Sequence, residues 1–387
     1  TAAWIATGAL AGATLVTLAA GAAFVASGLH LRPWMATGLG LGIVGLSVAN
    51  GLGTIGWGPG EPFGELVLWP LEWSALGLVP IGLAIVFVAV GLARLGHTSL
   101  EAAERRSHLV GQLRFAATMQ DLRTVVVLRR QLALELPRLR PWIRVRSRPG
   151  GRFPVLARGV QGLLRWPGAR VARLGLLGVL AGLALRGTWA GTTPLIVLAG
   201  VAMFVAGLDT VEALAQEVDH PSRRDSSPLD PGLIHLHHVP MGVVAQALVA
   251  AIAATAAAAP GGHALPASVA AMVGVSMALG AAAGAMVSVL SGPASTSGGS
   301  WSMVPPEAQG MRLVFRSAWP PALAVIGTLP LLAARSAVES GDAAEGPALT
   351  ATLGVAVVFV LVCGWVRLRD EIGSWLGQQM EQSGAPR

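Results

Sequence analysis

The sequence predicts an all-α fold: a polytopic transmembrane helix bundle of about nine spans, with amphipathic helices on its cytoplasmic face. Three observations lead there. Of 387 residues, 53% are hydrophobic and only 12% charged, with mean hydropathy +0.63, more apolar surface than a water-soluble chain of this length hides. The apolar residues gather into stretches close to the roughly 20 residues a helix needs to cross about 30 Å of hydrocarbon. The arginines, finally, concentrate between certain stretches and the acids between others.

The expected spans run Trp4–Leu29, Pro33–Ile55, Ser74–Ala93, Val171–Leu185, Thr192–Leu208, Pro240–Ala259, Pro266–Leu290, Pro320–Ala334 and Leu349–Val366. The fourth and eighth are short, and Arg173, Arg186 and Arg335 at their ends are expected to snorkel to the interface. The chain thus divides into a first transmembrane region, 1–93, with three spans, and a basic cytoplasmic loop, 94–170. A second region, 171–366, has six spans with cytoplasmic links at 209–239 and 291–319, and 367–387 is an amphipathic cytoplasmic tail. Pro80 and Pro330 mark expected kinks. Trp4, Trp34, Trp57, Trp73, Trp189, Trp319 and Trp365 fall at span ends, as interfacial anchors do. Glycines four apart, Gly8/Gly12, Gly38/Gly42, Gly178/Gly182 and Gly280/Gly284, permit close helix approach and are read as packing contacts.

Orientation follows from positive charge. The stretch Arg94–Arg173 holds 17 arginines against four acids, a balance of +13, and is therefore cytoplasmic. The loop Gly56–Trp73, with Glu61, Glu65 and Glu72, and Ser336–Pro347, with Glu339, Asp342 and Glu345, contain no arginine and fall outside. The predicted location is the cell membrane, with the long loop and the C-terminus inside. An odd span number puts Thr1 outside, and one further upstream span would make the number even.

Several chemistries are excluded by residue type. All 27 basic residues are arginine, so the chain has neither the lysine of a Walker A loop nor an amine nucleophile. Cys363 is the one cysteine. The histidine cluster His235, His237 and His238, just before the sixth span, lacks a metal-binding spacing and is read as an interfacial polar belt. No acid, histidine or arginine lies in the middle of a span, which disfavours a proton- or sodium-driven porter. No catalytic set, metal or cofactor is expected, and the chain is not read as an enzyme.

The cytoplasmic segments carry the remaining signal. Gly111–Leu136 reads as one helix, with Phe115, Met119, Leu122, Val126 and Ala133 on one face, ended by Pro137. The arginine-rich run after it suits anionic headgroups, and no nucleic-acid-binding module accompanies the charge. Pro306 and Glu307 open a second helix, with Met311, Val314, Phe315 and Ala318 opposite Arg312 and Arg316. In the tail, Leu368, Ile372, Trp375, Leu376 and Met380 share a face.

The loop motif RFAATMQDLRTVVVLRRQL with PRLRPW, and the later PPEAQGMRLVFRSAWPP, resemble an actinobacterial family of integral membrane proteins related to ABC-2-type transporter permeases. The resemblance covers about 45 residues and implies a separate ATP-binding subunit engaged by short coupling helices. On that expectation the chain is the permease subunit of an ABC exporter, with a homo- or hetero-oligomer as one possible assembly. Asp121, Arg123, Arg129, Arg130, Glu307, Arg312 and Arg316 are then the residues expected to couple to the ATPase. Such permeases usually have six spans, so nine is a departure. The alternative reading is a non-transporting membrane scaffold or assembly subunit of a larger complex.

Overall fold

A computed structural model describes residues 2–29, 33–51, 53–94, 141–143, 154–219, 229–291 and 318–382, together with positions 104, 107 and 111. The chain divides into two units, Thr1–Gln112 and Leu113–Arg387. Every regular element among the described residues is helical. Six helices are long and apolar enough to cross a membrane, or eight if each of two bent helix pairs is one crossing. The protein is thus a multi-pass helical membrane protein.

In the first unit, α1 (Ala2–Gly28) packs on α4 (Leu78–Ala93). A Cβ at Gly21 would lie 2.9 Å from the Val88 nitrogen, one at Gly91 2.7 Å from Phe24 Cβ, and one at Gly28 2.6 Å from Arg94 Cβ. Contacts that advance together along both helices make the pair parallel, so the chain between them must return. α2 (Pro33–Gly51) does so: it follows Gly28 after four residues and finishes where Asn50 Nδ2 donates to Glu61 Oε1 at 3.0 Å. Its 19 residues rise about 28 Å, close to the hydrocarbon thickness. The acidic segment expected as a plain loop instead contains α3 (Glu61–Leu68), which packs on α1 and α4 and buries Leu66 completely. Pro62 at its start and Glu61 in its first turn suit a helix N-terminus, and Thr7 donates to the Val67 carbonyl at 3.2 Å. Pro80 lies in the first turn of α4, where a proline needs no N–H partner, and Ala75–Ala93 runs through it as one apolar segment.

The second unit contains α5 (Pro154–Leu163), α6 (Gly168–Trp189), α7 (Leu195–Thr210), α8 (Glu212–Asp219), α9 (Pro231–Ala258) and α10 (Ala267–Leu290). It continues with α11 (Ala318–Ile326), α12 (Leu329–Glu339) and α13 (Glu345–Gln382). α7 and α8 meet at 56° and α11 and α12 at 43°, each pair forming one bent segment. The crossing starts earlier than expected in α9. Pro240, expected to open that span, lies inside the helix, because Asp230 caps it by accepting the Leu233 N–H at 3.2 Å and Pro231 supplies the first-turn φ. Much of the expected 209–239 link is consequently helix: α8 and the first turns of α9.

At the centre stands α10. Protein buries 72% of its apolar window, against 22% for α13. Small residues let the backbones meet. A Cβ at Gly274 would lie 3.1 Å from Ala254 Cβ on α9, one at Gly207 on α7 2.9 Å from the Ala281 carbonyl, and one at Gly280 2.8 Å from the Leu323 carbonyl on α11. Gly284 faces the Pro320 carbonyl at still closer range. Of the four glycine pairs read as packing contacts, Gly178/Gly182 and Gly280/Gly284 are such contacts. Gly8/Gly12 and Gly38/Gly42 have nothing within 4 Å among the described residues. The expected tail is continuous with the last span in one 38-residue helix, α13, on which Leu368, Ile372 and Trp375 are exposed.

Candidate functional site

Among the described residues of the second unit, ion pairs and arginine contacts gather at its two ends, and the richer cluster surrounds the bend between α7 and α8. Helix α7 stops at Thr210, and α8 restarts with Glu212 in its first turn, where a carboxylate faces the positive end of the dipole. The C-terminal carbonyls of α7 need donors that no intrahelical N–H supplies. Arg170, at the start of α6, provides one: Nη2 donates to the Asp209 carbonyl at 2.7 Å. The same guanidinium pairs with Glu212, lies 3.9 Å from the Asp209 carboxylate and rests 4.2 Å above the Trp166 ring. One side chain therefore holds both halves of the bent segment. Arg173 pairs with the Asp209 carboxylate from the next turn of α6. A planar five-donor fork can serve a carbonyl and a carboxylate together, as a lysine ammonium cannot in the same fixed geometry.

The far end of α8 is held to α9. Glu217, 7% exposed, lies 3.8 Å from His238 Nε2, and His235, three residues before His238, is also buried. His237 alone of the three histidines faces out. The interfacial-belt reading is thus corrected for two of them: the cap at Asp230 brings them inside the helix, where residues three apart share a face. Among the described residues no group of three histidine, cysteine or acidic side chains could hold a metal. Two turns further along α9, Gln246 is fully buried, donates to the Met203 carbonyl at 3.0 Å and accepts from the Thr210 hydroxyl at 3.2 Å. The bend is thus bonded to α6 and α9 over three turns.

At the opposite end the snorkelling expectation also fails. Arg186, 5% exposed, turns inward and donates to the Ala259 carbonyl at 2.8 Å and to the Gly262 carbonyl at 2.9 and 2.6 Å. It closes the C-terminal end of α9, whose orphan carbonyls outweigh the pull of the headgroups. Arg335 likewise donates to the Thr188 carbonyl at 2.8 Å and pairs with Glu339 at 2.7 Å.

Asp121, Arg123, Arg129, Arg130, Glu307, Arg312 and Arg316, the residues expected to meet an ATPase, lie outside the described residues. The chain's approach to α6 is described in part. Trp142 donates from Nε1 to the Trp166 carbonyl at 2.9 Å and from its backbone N–H to the Leu164 carbonyl at 2.8 Å. Between these residues runs α5, whose Gly159 packs on Met241 of α9. Sequence reasoning missed α5, although Val155, Leu156, Val160, Leu163 and Leu164 recur at helical spacing. It also missed the bend network, for which a signal existed: Arg170 and Arg173 are three apart on one helix, as are Asp209 and Glu212 around the bend. Complementary charges at matched spacing on successive antiparallel segments predict that pairing.

Fold and site together define a multi-pass helical membrane protein whose last crossings are organised around a buried small-residue helix and an arginine-clamped bend. No protein-family model, curated protein or solved structure matches the chain.

Proposed function

We propose that this chain is the transmembrane permease subunit of an exporter driven by a separate ATP-binding chain. The observation that carries the reading is Arg170. It stands where the basic loop enters the bundle, on the first turn of α6, and grips both sides of the α7/α8 bend. Displacement of the loop by a partner therefore moves a bent crossing segment directly, without passing through the packed interior. With the arginine-rich end cytoplasmic in the cell membrane, that partner sits where ATP is available. Nine crossings follow if α2 and both bent pairs each count as one. On this reading the backbone-level packing around α10 leaves little room for a path through that part of the second unit, and the substrate path is proposed to run along its outer surface, in an oligomer. Anionic lipids are the natural counter-charge for the remaining arginines.

The same packed interior favours a second reading, a non-transporting scaffold or assembly subunit. The two separate in one experiment. The protein is purified in mild detergent and its companions identified. The variant with Asp121, Arg123, Arg129 and Arg130 replaced by alanine, and another with Glu307, Arg312 and Arg316 replaced, are then compared with it. On the permease reading an ATPase copurifies, both variants insert normally, and at least one loses the ATPase or its stimulated hydrolysis. Full ATPase binding and transport in both would refute the coupling assignment, and companions without any ATPase would favour the scaffold.

A further inference from the structure

The bend between α11 and α12 has a chemistry that the permease reading does not use. α11 ends at Ile326, Gly327 and Thr328 form the break, and Pro330 stands at the second position of α12. Pro330 has no N–H to return to the Ile326 carbonyl, four residues back. The next donor, Leu331 N–H, goes to the Thr328 carbonyl at 3.0 Å, one residue short of Gly327. Two carbonyls at the negative end of a half-helix thus lack their usual helical donors. The break lies nine residues from Ala318 and twelve from Glu339, about 14 and 18 Å along the segment, and so near the middle of the crossing.

A second polar group lies beside the break, on α10. Ser276 is 0% exposed, and its Oγ is buried without a hydrogen-bond partner among the described residues. A buried serine in a helix commonly bonds back to the preceding turn, so its state requires an explanation. Ser276 lies one turn before Gly280, which abuts Leu323 and Gly327, and helical side chains lean toward the N-terminus. Because α11 runs antiparallel, that lean carries Ser276 toward the residues following Gly327. The Ser276 carbonyl itself would lie 3.0 Å from a Cβ at Gly327. Thr328, also 0% exposed, donates its hydroxyl to the Val325 carbonyl at 2.5 Å, leaving oxygen lone pairs to accept.

We propose that this break is a binding site for a small monovalent cation, Na+ above all, held by the Ile326 and Gly327 carbonyls and the Ser276 and Thr328 hydroxyls. Neutral oxygens suffice at such a site, because unwound carbonyls and the end of a half-helix supply the negative potential. The exclusion of sodium coupling on the ground that no acid lies in mid-span therefore does not reach it. The choice of Na+ over K+ is part of the proposal and follows from the close approach of α10, where a Cβ at Gly327 would stand 3.0 Å from Met277 Cα and a smaller ion fits more easily. A buried water is the competing occupant, since it too needs two to four polar partners.

The test uses the purified full chain without any ATPase, so it stands or falls independently of the permease reading. Radiolabelled Na+ binding is measured directly, and thermal unfolding is followed in NaCl, KCl and choline chloride at equal ionic strength. Saturable binding displaced by unlabelled NaCl but poorly by KCl is expected, with a higher melting temperature in NaCl than in choline chloride. Ser276→Ala should weaken Na+ binding at least tenfold, as should Pro330→Ala, which restores an N–H to the Ile326 carbonyl. If Ser276→Ala does not fold, Ser276→Cys keeps the shape while replacing a hard ligand with a soft one. No saturable binding, equal stability in all three salts (the result for a water alone), or unchanged Na+ affinity in the Ser276 variants would overturn the assignment.

Discussion

Neutralising Asp209 is the sharpest probe of the arginine-clamped bend. Its carboxylate, 13% exposed, faces Arg173 and lies 3.9 Å from Arg170, so Asp209→Asn leaves two guanidiniums short of a counter-charge while preserving shape. At the effective dielectric of about 20 that suits such sites, one pair at this distance is worth about 4 kcal/mol gross. Breaking a buried pair from one side costs roughly 3–5 kcal/mol, because the remaining charge stays desolvated. Arg173 is 38% exposed and regains water, which moves the expectation to the lower end, about 3 kcal/mol. Glu212→Gln should cost less, about 1–2 kcal/mol, since Arg170 keeps the Asp209 carbonyl, the Asp209 carboxylate and the Trp166 ring. Arg173→Gln should cost least, about 1 kcal/mol, because Asp209 retains Arg170. Equilibrium unfolding in mixed micelles, followed by tryptophan fluorescence, gives the three values, and Arg173→Gln/Asp209→Asn completes a cycle that should fall short of additivity. If Asp209→Asn lies within about 0.5 kcal/mol of the parent, or Arg173→Gln is the costliest change, the bend is not held by this network.

Gln246→Leu keeps the volume but deletes two interhelical hydrogen bonds, and the same unfolding assay should register about 1 kcal/mol, the range found for such bonds within membranes. A loss several times larger would mean that Gln246 does more than join α9 to α7. Gly284→Val drives a side chain into the Pro320 carbonyl and should cost at least about 1–3 kcal/mol, whereas Gly42→Val, with nothing within 4 Å, should be silent. Equal effects would contradict the central position of α10. For orientation, single cysteines at Arg165 and Ser340 in a Cys363→Ala background should react from opposite faces of intact cells, Ser340→Cys with the impermeant reagent. Ser340 is preferable to Gly341, whose φ of +84° a side chain would strain. Labelling of both positions from outside would refute the positive-inside assignment.

What could be read in the sequence was whatever lipid imposes. Hydrocarbon demands long apolar helices, so α1, α4, α6, α9, α10 and α13 each fall on an expected span. Where protein rather than lipid sets the geometry, the reading slipped. Pro240 marks a boundary by proline's usual behaviour, yet the cap at Asp230 outweighs it. The default for isolated helices sends Arg186 and Arg335 to the headgroups, but carbonyls at neighbouring chain ends accept from them instead. His235 and His238 were placed at an interface for want of the upstream turn that carries them inward. The bend at Gly327 falls where Pro330 predicts a kink, whereas the closeness of Ser276 to it is not legible, because the two are distant in sequence. For the seven coupling residues the sequence and its resemblance remain the basis, since they lie outside the described residues.

The burial of α10 also dictates an order of events during synthesis. Its window of alanine, glycine and valine is apolar enough to enter the bilayer alone, and α7 and α9 precede it to cover two of its sides. Its Gly280/Gly284 side waits for α11, whose first described residue, Ala318, comes 28 residues after Leu290 and thus about 1–6 s later at ordinary elongation speeds of about 5–20 residues per second. During that interval lipid chains occupy a groove later closed by backbone, and they must leave when α11 arrives. A nascent chain stalled shortly after α10 would therefore expose its most tightly fitted surface to the bilayer, which makes the interval before α11 is synthesised the point at which membrane quality control could recognise an unfinished molecule.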